Sequence, residues 1–276
     1  MIKTAIIPAA GYGTRMLPVT KVISKEMLPV GNKPIIDYVV DDLVAAGIER
    51  IVIVVQPGET QIRDYFSQES TLKSFLKQRD ALHKYRPIEN LPEKAEFIFV
   101  EQDMSADKYG TTIPLITALE KIGDDEPVLF VNGDSLPWTP KADQTKLFID
   151  AWMESEMGAA LMSIQVPLEE VEKYGVIDFD KTTSEFKKIV EHPSVEEAPS
   201  NYINTGNYIF PSGVLGVASR VPVDKRTGEY LVIDVVNELL DEGVMVHTPA
   251  SNVHYLDVGN VANFVHSNQI VADTDL

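Results

Sequence analysis

A glycine-rich run near the start of the chain is the stretch best suited to bind phosphate. It reads Ala10-Gly11-Tyr12-Gly13-Thr14-Arg15 and directly follows an apolar segment. Small residues let a backbone approach a ligand closely and turn its N–H groups toward phosphate oxygens. Arg15 adds a guanidinium suited to bidentate contacts, and Lys25 a more compact ammonium. The sequence therefore predicts a nucleotide held over a backbone cradle, with two cations on its triphosphate.

Two familiar phosphate-binding motifs do not fit this run. A dinucleotide fingerprint would need a third glycine at Met16 and an immediate helix, which Pro18 disfavours. A Walker-type loop would end in Gly-Lys followed by Ser or Thr, and that ending is absent. A plain glycine turn with two surface cations is the remaining alternative.

Two aspartates are candidates for holding a metal ion. Asp134 follows the apolar segment Pro127–Asn132, and Asp257 ends a later short one, Tyr255-Leu256-Asp257. Mg²⁺ is typically held by one or two carboxylates together with substrate phosphates and water. Either aspartate alone would more often be a turn or helix-capping residue than a metal ligand, so the metal role depends on the two side chains converging.

The elements that must position these residues alternate between strand and helix. Strands are predicted at Lys3–Pro8, Glu49–Val55, Ala95–Val100 and Pro127–Asn132, with helices at Pro34–Ala46, Glu59–Phe66 and Thr111–Ile122. This alternation predicts an α/β fold with a Rossmann-like, mainly parallel mixed sheet flanked by helices. Ligands bind such sheets at the carboxyl ends of the strands, where the glycine run lies.

The second half of the chain has shorter apolar segments. Strands are predicted at Ala159–Val166, Gly175–Asp178, Lys187–Val190 and Tyr202–Phe210, and helices at Tyr230–Asp241 and Asn260–Val271. We expect one two-lobed unit over residues 1–276, with a nucleotide-binding part over about 1–165 and a strand-rich sugar-binding part with C-terminal helices over about 166–276. Residues Ser67–Glu93 are predicted to form a solvent-side helical insertion.

The amino-acid composition indicates which nucleic-acid, metal and membrane partners are compatible with the chain. The net charge is −18, from 24 basic and 42 acidic residues, which disfavours nucleic-acid binding because phosphate backbones need broad basic surfaces. No cysteine is present and the histidines show no zinc spacing, so any metal would be an oxygen-liganded Mg²⁺ or Mn²⁺. No apolar run approaches the length of a membrane span, which is about 20 residues. We expect a cytoplasmic protein with no membrane partner.

The glycine run and the residues after it resemble a known enzyme family. Gly11–Arg15, Lys25-Glu26-Met27-Leu28-Pro29 and Lys33-Pro34 are similar to the sugar-nucleotide pyrophosphorylases, and within them to the bacterial UTP–glucose-1-phosphate uridylyltransferases. Thymidylyl-transferring relatives typically have Gln where Glu26 stands and lack the insertion at Ser67–Glu93. The resemblance spans nearly the whole chain and is strongest over residues 1–66.

The resemblance implies specific roles for residues along the chain. It implies catalytic roles for Arg15, Lys25 and Asp134, and a Mg²⁺ ion on Asp134 and Asp257. It implies nucleotide binding by Ala10, Gly11, Gly13, Thr14, Gln102 and Gly110, and sugar-phosphate binding by Gly175, Glu191, His192, Asn204 and Thr205. A glutamine amide both donates and accepts, which suits the imide edge of uracil or thymine. Gly228-Glu229-Tyr230 with Asp234 also matches the family, and we interpret that segment as structural.

Two stretches depart from the family pattern. The family run Gly-Leu-Gly-His is replaced by Lys108-Tyr109-Gly110-Thr111, and Glu-Lys-Pro is replaced by Glu191-His192-Pro193. In the family, the lysine at the position of His192 binds the sugar phosphate. A histidine is a shorter, conditional cation that loses its charge near neutral pH, although it could still donate a hydrogen bond when neutral.

The predicted reaction joins UTP and glucose 1-phosphate to give UDP-glucose and pyrophosphate, by a Mg²⁺-dependent in-line displacement at the α-phosphorus. The resemblance also implies a homo-oligomer, either a dimer or a tetramer. Two alternatives stay open: transfer of thymidylyl or another nucleotidyl group to a sugar 1-phosphate, and a catalytically weak, nucleotide-binding regulatory subunit.

Overall fold

Apolar segments of the first half form parallel strands, and β1 (Thr4–Ala9), β4 (Arg50–Val55) and β6 (Val128–Phe130) are largely buried on both faces. The structure is a computed structural model that describes residues 2–68, 71–105, 109–249 and 253–274. The strands are β1 (Thr4–Ala9), β2 (Pro29–Val30), β3 (Lys33–Pro34), β4 (Arg50–Val55), β5 (Glu96–Glu101), β6 (Val128–Phe130), β7 (Ser135–Trp138), β8 (Ala159–Gln165), β9 (Gly175–Phe179), β10 (Phe186–Glu191), β11 (Tyr202–Phe210), β12 (Val244–His247) and β13 (His254–Asp257). The helices are α1 (Ile35–Ala45), α2 (Gln61–Tyr65), α3 (Thr71–Gln78), α4 (Ile113–Ile122), α5 (Gln144–Glu154), α6 (Val214–Ala218), α7 (Val232–Glu238) and α8 (Val261–Thr274).

The main sheet has nine strands and joins both halves of the chain. Its path is β10-β9-β11-β6-β1-β4-β5, and β8 and β12 extend it from β11. Strands β6, β1, β4 and β5 run parallel, and β11 is antiparallel to β6. The expected Rossmann-like mixed sheet, flanked by helices, is confirmed.

Helices cover the sheet on two sides, and alternate residues of each strand face opposite layers. In β1, Ala5 and Ile7 belong to a core shared with α1 and α5, whereas Ile6 belongs to a core shared with α4, α6 and α7. In β4, Ile51 and Val52 divide in the same way. This is the two-residue period of a strand buried on both faces.

A separate two-stranded ladder joins β7 to β13. The strands are antiparallel, with Ser135 opposite Asp257 and Trp138 opposite His254. Helix α8 follows β13, and the hydroxyl of Ser267 accepts a hydrogen bond of 2.8 Å from the backbone N–H of Asp257. The ladder brings the carboxyl side of β6 next to the end of β13.

The sequence located most of these elements to within a few residues, with some exceptions. Strand β11 has the predicted bounds, but α7 is shorter than the predicted helix Tyr230–Asp241. The expected strand Pro127–Asn132 ends at Phe130, so Asp134 lies in the connection between β6 and β7. Strand β7 and helix α5 were not predicted.

The insertion after α2 is helical in its described part and is tied to α1 by Lys94. The Nζ atom of Lys94 lies 2.6 Å from Oδ1 of Asp37 and 2.6 Å from Oδ1 of Asp41. Among the described residues, no helix has the length and apolar character needed to cross a membrane.

Candidate active site

The glycine run forms an irregular loop at the carboxyl end of β1. Gly13 has a φ of 61°, a left-handed conformation that suits glycine. Its carbonyl accepts hydrogen bonds from the Thr20 hydroxyl at 2.8 Å and the Met16 N–H at 2.9 Å. The chain then continues through the 3₁₀ turns Thr14–Met16 and Val19–Lys21 rather than a long helix, as the motif comparison predicts.

Lys25 brings a cation to this loop from the 3₁₀ turn Lys25–Met27. A Cβ atom added to Gly11 would lie 3.5 Å from Cε of Lys25, so the glycine lets the lysine stem pass alongside the loop. The Lys25 Nζ atom donates a hydrogen bond of 2.7 Å to Oδ2 of Asp134. Burial alone would lower the pKa of Lys25, but the carboxylates of Asp134 and Glu26 raise it above its usual value. Lys25 therefore keeps its charge.

Glu26 was not predicted as a site residue, and it lies next to this ion pair. Its side chain is fully buried, and Lys25 Nζ is 3.7 Å from its Oε1 atom. Within the described part of the chain, neither carboxylate oxygen of Glu26 accepts a hydrogen bond of normal length. Burial raises the pKa of Glu26 to about 7, against the opposing effect of the Lys25 charge.

The β7–β13 ladder brings together the two aspartates proposed to hold a metal. Asp134 immediately precedes Ser135, which pairs with Asp257, and the Asp134 carbonyl accepts a hydrogen bond of 3.0 Å from the Val258 N–H. Burial raises the pKa of Asp257, hydrogen bonds from Gly259 and Asn263 lower it, and the charge of Asp134 raises it further.

These carboxylates fit a hard divalent cation. Asp134 is 8% exposed, and a carboxylate has about four lone-pair positions, so its bond to Lys25 leaves acceptor capacity. Asp257 accepts 2.6 Å from the Gly259 N–H and a second bond from the Asn263 amide, which orient its carboxylate. Among the described residues, no group of three or more metal-ligating side chains occurs. An ion here would complete its coordination with substrate phosphates and water.

Arg15 is exposed and lies beside the end of the same ladder. A Cβ atom added to Gly259 would lie 3.2 Å from Nη2 of Arg15 and 3.0 Å from Oδ1 of Asp257. Gly259 therefore lets the guanidinium approach the Asp257 carboxylate. The Arg15 charge acts to lower the pKa of Asp257.

The expected base-reading residues are held in place by backbone contacts. Gln102 is 4% exposed, its N–H donates 2.9 Å to the Val55 carbonyl, and its Oε1 atom lacks a hydrogen-bond partner among the described residues. A Cβ atom on Gly110 would lie 2.3 Å from the backbone of Tyr230, whose N–H donates to the Tyr109 carbonyl at 3.0 Å. Lys108, part of the departure from the family run, lies outside the described residues.

The expected sugar-binding residues lie on β9, β10 and β11. Gly175 pairs with Glu191, and a Cβ atom on Gly175 would come within 2.8 Å of Oε1 of Glu191. Asn204 accepts from the Gly206 N–H at 3.0 Å and donates to the Tyr208 hydroxyl at 2.6 Å. The Thr205 hydroxyl donates to the Met162 carbonyl, so its side chain is committed to the interior.

His192 follows β10 with its ring fixed by the backbone. It has a φ of 49°, a left-handed conformation uncommon for a non-glycine residue. Its Nδ1 atom lies 3.0 Å from the Glu172 carbonyl, which can only accept, so Nδ1 carries the proton. In a neutral ring the remaining nitrogen, Nε2, is then an acceptor. In this ring orientation the proton of a neutral His192 is therefore directed at the Glu172 carbonyl, and a contact between His192 and the sugar phosphate stays a prediction.

One cavity of about 730 Å³ gathers nearly all of these residues. Its walls include the predicted Ala10, Gly11, Gly13, Thr14, Arg15, Lys25, Gln102, Gly110, Asp134, Gly175, Glu191, His192, Asn204 and Thr205. Asp257 does not line it, although Gly259 and Tyr255 on either side do.

Several residues of the cavity wall were not predicted. Asn132, Tyr208, Arg226 and Glu229 line it. Asn132 donates 3.0 Å to the Thr205 carbonyl, and a polar residue directly after an apolar segment could have identified it. The segment around Glu229, interpreted from sequence as structural, forms part of the wall and also supports Tyr109 through Tyr230.

Comparison with known proteins identifies a family and relatives that match almost the whole chain. The family model described as nucleotidyl transferase matches residues 4–274. A Staphylococcus saprophyticus protein named UTP–glucose-1-phosphate uridylyltransferase 1 is 32% identical over 269 residues, covering 96% of this chain and 90% of its own.

Two solved structures have the same fold over nearly the whole chain. A UDP-glucose pyrophosphorylase complexed with UDP-glucose has a TM-score of 0.84 and 29% identity, covering 99% of this chain and 100% of its own. The UTP-bound UGPase from Acinetobacter baumannii has a TM-score of 0.85 and 27% identity, covering 98% of this chain and 93% of its own.

Proposed function

Because the chain belongs to the nucleotidyl transferase family, we propose that it transfers a uridylyl group from UTP to glucose 1-phosphate. The observation that carries this proposal is the single cavity of about 730 Å³. The cavity brings together the glycine loop, the cations of Arg15 and Lys25, the buried amide of Gln102, and the Glu191 carboxylate, which is suited to sugar hydroxyls. Its volume is typical of small-molecule sites. The names of the Staphylococcus relative and of both solved structures support UTP and UDP-glucose as its ligands.

The reaction needs positioning and charge compensation rather than a protein nucleophile. An oxygen of the sugar 1-phosphate attacks the α-phosphorus of UTP. On the opposite side, the bond breaks between the α-phosphorus and the oxygen that bridges the α- and β-phosphates. Pyrophosphate leaves with the electron pair of that bond. Both reactants are anions, so Arg15 and the charged Lys25 lower the barrier by compensating their repulsion and the charge that develops in the transition state.

A divalent metal ion, which we propose is Mg²⁺, would bind Asp134 and Asp257. When bound, such an ion neutralises phosphate charge and fixes the orientation of the triphosphate. Lys25 and Asp134 hold each other in place at 2.7 Å. Asn263 and Gly259 orient the carboxylate of Asp257.

We assign the two substrates to different walls of the cavity. The nucleotide wall comes from about residues 1–165, where Gly13 and Thr14 receive the phosphates. The backbone of Ala10 and Gly11 receives the uracil together with Gln102, and Gly110 lies nearby. The Oε1 atom of Gln102, buried and without a partner among the described residues, supports this role because uracil N3–H could donate to it. The sugar-phosphate wall comes from about residues 166–276, with Glu191 accepting from the hexose hydroxyls.

A substrate grid tests the proposed function. Pyrophosphate release is measured with UTP, dTTP, CTP, ATP and GTP against the 1-phosphates of glucose, galactose, mannose and N-acetylglucosamine. We expect kcat/KM for UTP with glucose 1-phosphate to exceed every other pair by at least about tenfold, the discrimination that one or two specific contacts provide. A preference for dTTP would support the thymidylyl alternative, and tight UTP binding without turnover on any sugar would support a regulatory subunit.

The expected dimer or tetramer stays a prediction. Light scattering on the purified full chain measures the mass in solution, and a mass of one chain would contradict it.

A further inference from the structure

Glu26 is a fully buried acid beside the Lys25–Asp134 ion pair, whose two residues line the cavity. Burying a carboxylate is costly unless a charge or hydrogen bonds compensate it. Neither Glu26 oxygen has a hydrogen-bond partner in the described residues, and the Lys25 ammonium lies 3.7 Å from Oε1. Side-chain packing alone does not explain a buried carboxylate whose oxygens have no partner among the described residues.

The fold places the Glu26 side chain against the metal-binding connection. Glu26 is central in the 3₁₀ turn Lys25–Met27, and its chain passes under Gly133, the residue before Asp134. A Cβ atom on Gly133 would lie 3.0 Å from Cγ of Glu26 and 2.8 Å from Cγ2 of Ile7. The absence of a side chain at Gly133 therefore leaves the space that Glu26 occupies.

Asp134 has two competing partners in the proposed mechanism. Its carboxylate holds the Lys25 ammonium at 2.7 Å, and it is also the proposed ligand of a divalent cation. A dication on Asp134 would repel an ammonium bonded to the same carboxylate. Lys25 needs a second acceptor within a short movement, and Glu26 Oε1 is 3.7 Å away, only 1.0 Å farther than Asp134 Oδ2 at 2.7 Å.

We propose that Glu26 is a positioning residue that takes over the Lys25 ammonium when a divalent cation occupies Asp134. The movement keeps Lys25 beside the glycine loop, because a Cβ atom on Gly11 would already lie 3.8 Å from Nζ. The ammonium is then free to meet the triphosphate without competing for the metal ligand. This inference rests on the proposed function, since it takes Asp134 as a metal ligand.

Direct Mn²⁺ titration tests the coupling without turnover. Free Mn²⁺ is followed by electron paramagnetic resonance for the full chain, with no nucleotide, in the wild type, Glu26→Gln, Lys25→Met and the double variant. With Glu26→Gln, Lys25 stays on Asp134, so we expect Mn²⁺ binding to weaken at least about fivefold, the size of coupling between groups in contact. With Lys25→Met, Asp134 is free and binding tightens. Adding Glu26→Gln to Lys25→Met should then change the affinity by less than about twofold, because the partner through which Glu26 acts is gone.

Two further variants serve as matched controls. Glu26→Asp keeps the negative charge and should bind Mn²⁺ more tightly than Glu26→Gln. If Glu26→Gln does not fold, Glu26→Met takes its place, because it also removes the charge at similar side-chain length. Asp42 is another buried acid, whose carboxylate accepts from the N–H groups of Gln144 and Thr145 at the start of α5. Asp42→Asn should lower the melting temperature and leave Mn²⁺ affinity unchanged.

The outcomes separate this inference from the proposed function. Equal weakening by Glu26→Gln in the presence and absence of Lys25 would overturn it, because Glu26 would then act on the ion directly. A higher KM for UTP with unchanged Mn²⁺ affinity would also overturn it and make Glu26 a nucleotide contact. If Asp134→Ala binds Mn²⁺ as the wild type does, the metal assignment itself fails, whatever Glu26 does.

Discussion

Ser135 stands opposite Asp257 in the antiparallel ladder between β7 and β13. Because Asp134 directly precedes Ser135, the pairing fixes the two proposed metal ligands next to each other at one end of the ladder. The hydrogen bond of 3.0 Å from the Val258 N–H to the Asp134 carbonyl closes the same edge. The positions of both carboxylates therefore depend on a contact between segments that are far apart in sequence.

Removal of either aspartate should abolish metal-dependent turnover. We expect Asp134→Ala and Asp257→Ala to lower kcat by about a thousandfold or more, the loss typical when charge stabilisation of a transition state is removed. Circular dichroism should show that both variants are folded. EDTA should abolish the activity of the wild type, and added Mg²⁺ should restore it. As a control, Asp124→Asn removes a helix-capping aspartate that bonds the Leu215 N–H and should remain active. Full activity of folded Asp134→Ala in EDTA would contradict the metal assignment.

Arg15 should act on the transition state more than on substrate binding. Arg15→Ala is expected to lower kcat at least about a hundredfold, with KM for UTP changing less than about fivefold. Steady-state kinetics at saturating Mg²⁺ give the split. The exposed Lys21, in the neighbouring 3₁₀ turn, is the matched control, and Lys21→Ala should retain wild-type kinetics. A rise in KM alone would make Arg15 a ground-state anchor.

Protonation of His192 should control binding of the sugar phosphate and not of UTP. The Nδ1–H is directed to the Glu172 carbonyl, so Nε2 can donate to a phosphate only when the ring is charged. KM for glucose 1-phosphate should therefore be lower with the charged ring than with the neutral ring, and a KM–pH curve measures this difference.

Two variants at this position identify the cause of that pH dependence. His192→Lys should flatten the KM–pH curve and lower KM at its alkaline end, and His192→Ala should weaken binding throughout. The ionisation of the substrate itself affects all three proteins equally. Identical curves for the three would show that His192 does not contact the phosphate.

Gly206 and Gly58 form a matched pair for testing close packing of the sugar wall. Both have a φ of 75°, so alanine at either costs the strain of a left-handed residue, roughly 1–2 kcal/mol. A Cβ atom at Gly206 would lie 2.3 Å from the Asn132 amide, whereas nothing lies within 4 Å of one at Gly58. Chemical denaturation should show Gly206→Ala to be the less stable variant. Only Gly206→Ala should raise KM for glucose 1-phosphate; equal effects of the two would contradict the packing explanation.

His247 should make the fold less stable in acid. Burial lowers the pKa of His247 to about 4, below the ordinary 6.5, and its Nε2 atom has no hydrogen-bond partner among the described residues. Between these two values the unfolded chain binds the extra proton, so stability falls as the pH falls from 6.5 to 4. The loss is at most roughly 3 kcal/mol. Urea denaturation at several pH values should show a shallower pH dependence for His247→Asn, and equal slopes would contradict the prediction.

Local patterns in the sequence were sufficient for the main strands and for the glycine loop of the cavity, whereas the base-side and sugar-side residues were expected only from the family resemblance. The β-branched run of β4 favours an extended strand, and the glycines before Arg15 permit the left-handed turn that the loop makes at Gly13. Strand β7 could not be predicted in the same way, because it is four residues long, contains Pro137 and, among the described strands, pairs with β13 alone. Its existence depends on tertiary contact rather than on local propensity.

The polar details of the site were also beyond sequence patterns. Glutamate is almost never fully buried without a partner, so the sequence gives no reason to expect Glu26 inside the protein. The tautomer of His192 is determined by a carbonyl twenty residues earlier, at Glu172. Both facts follow from the folded backbone and are visible only in three dimensions.

The ladder between Ser135 and Asp257 also bears on how a newly made chain becomes active. A ribosome must release residue 257 and the residues after it before this pairing can form, although β1, β4, β5 and β6 have already left the exit tunnel. Contacts of such long sequence separation form slowly, because their loop-closure entropy must be overcome first. A nascent chain could therefore not bring Asp134 and Asp257 together until the residues of β13 had left the ribosome.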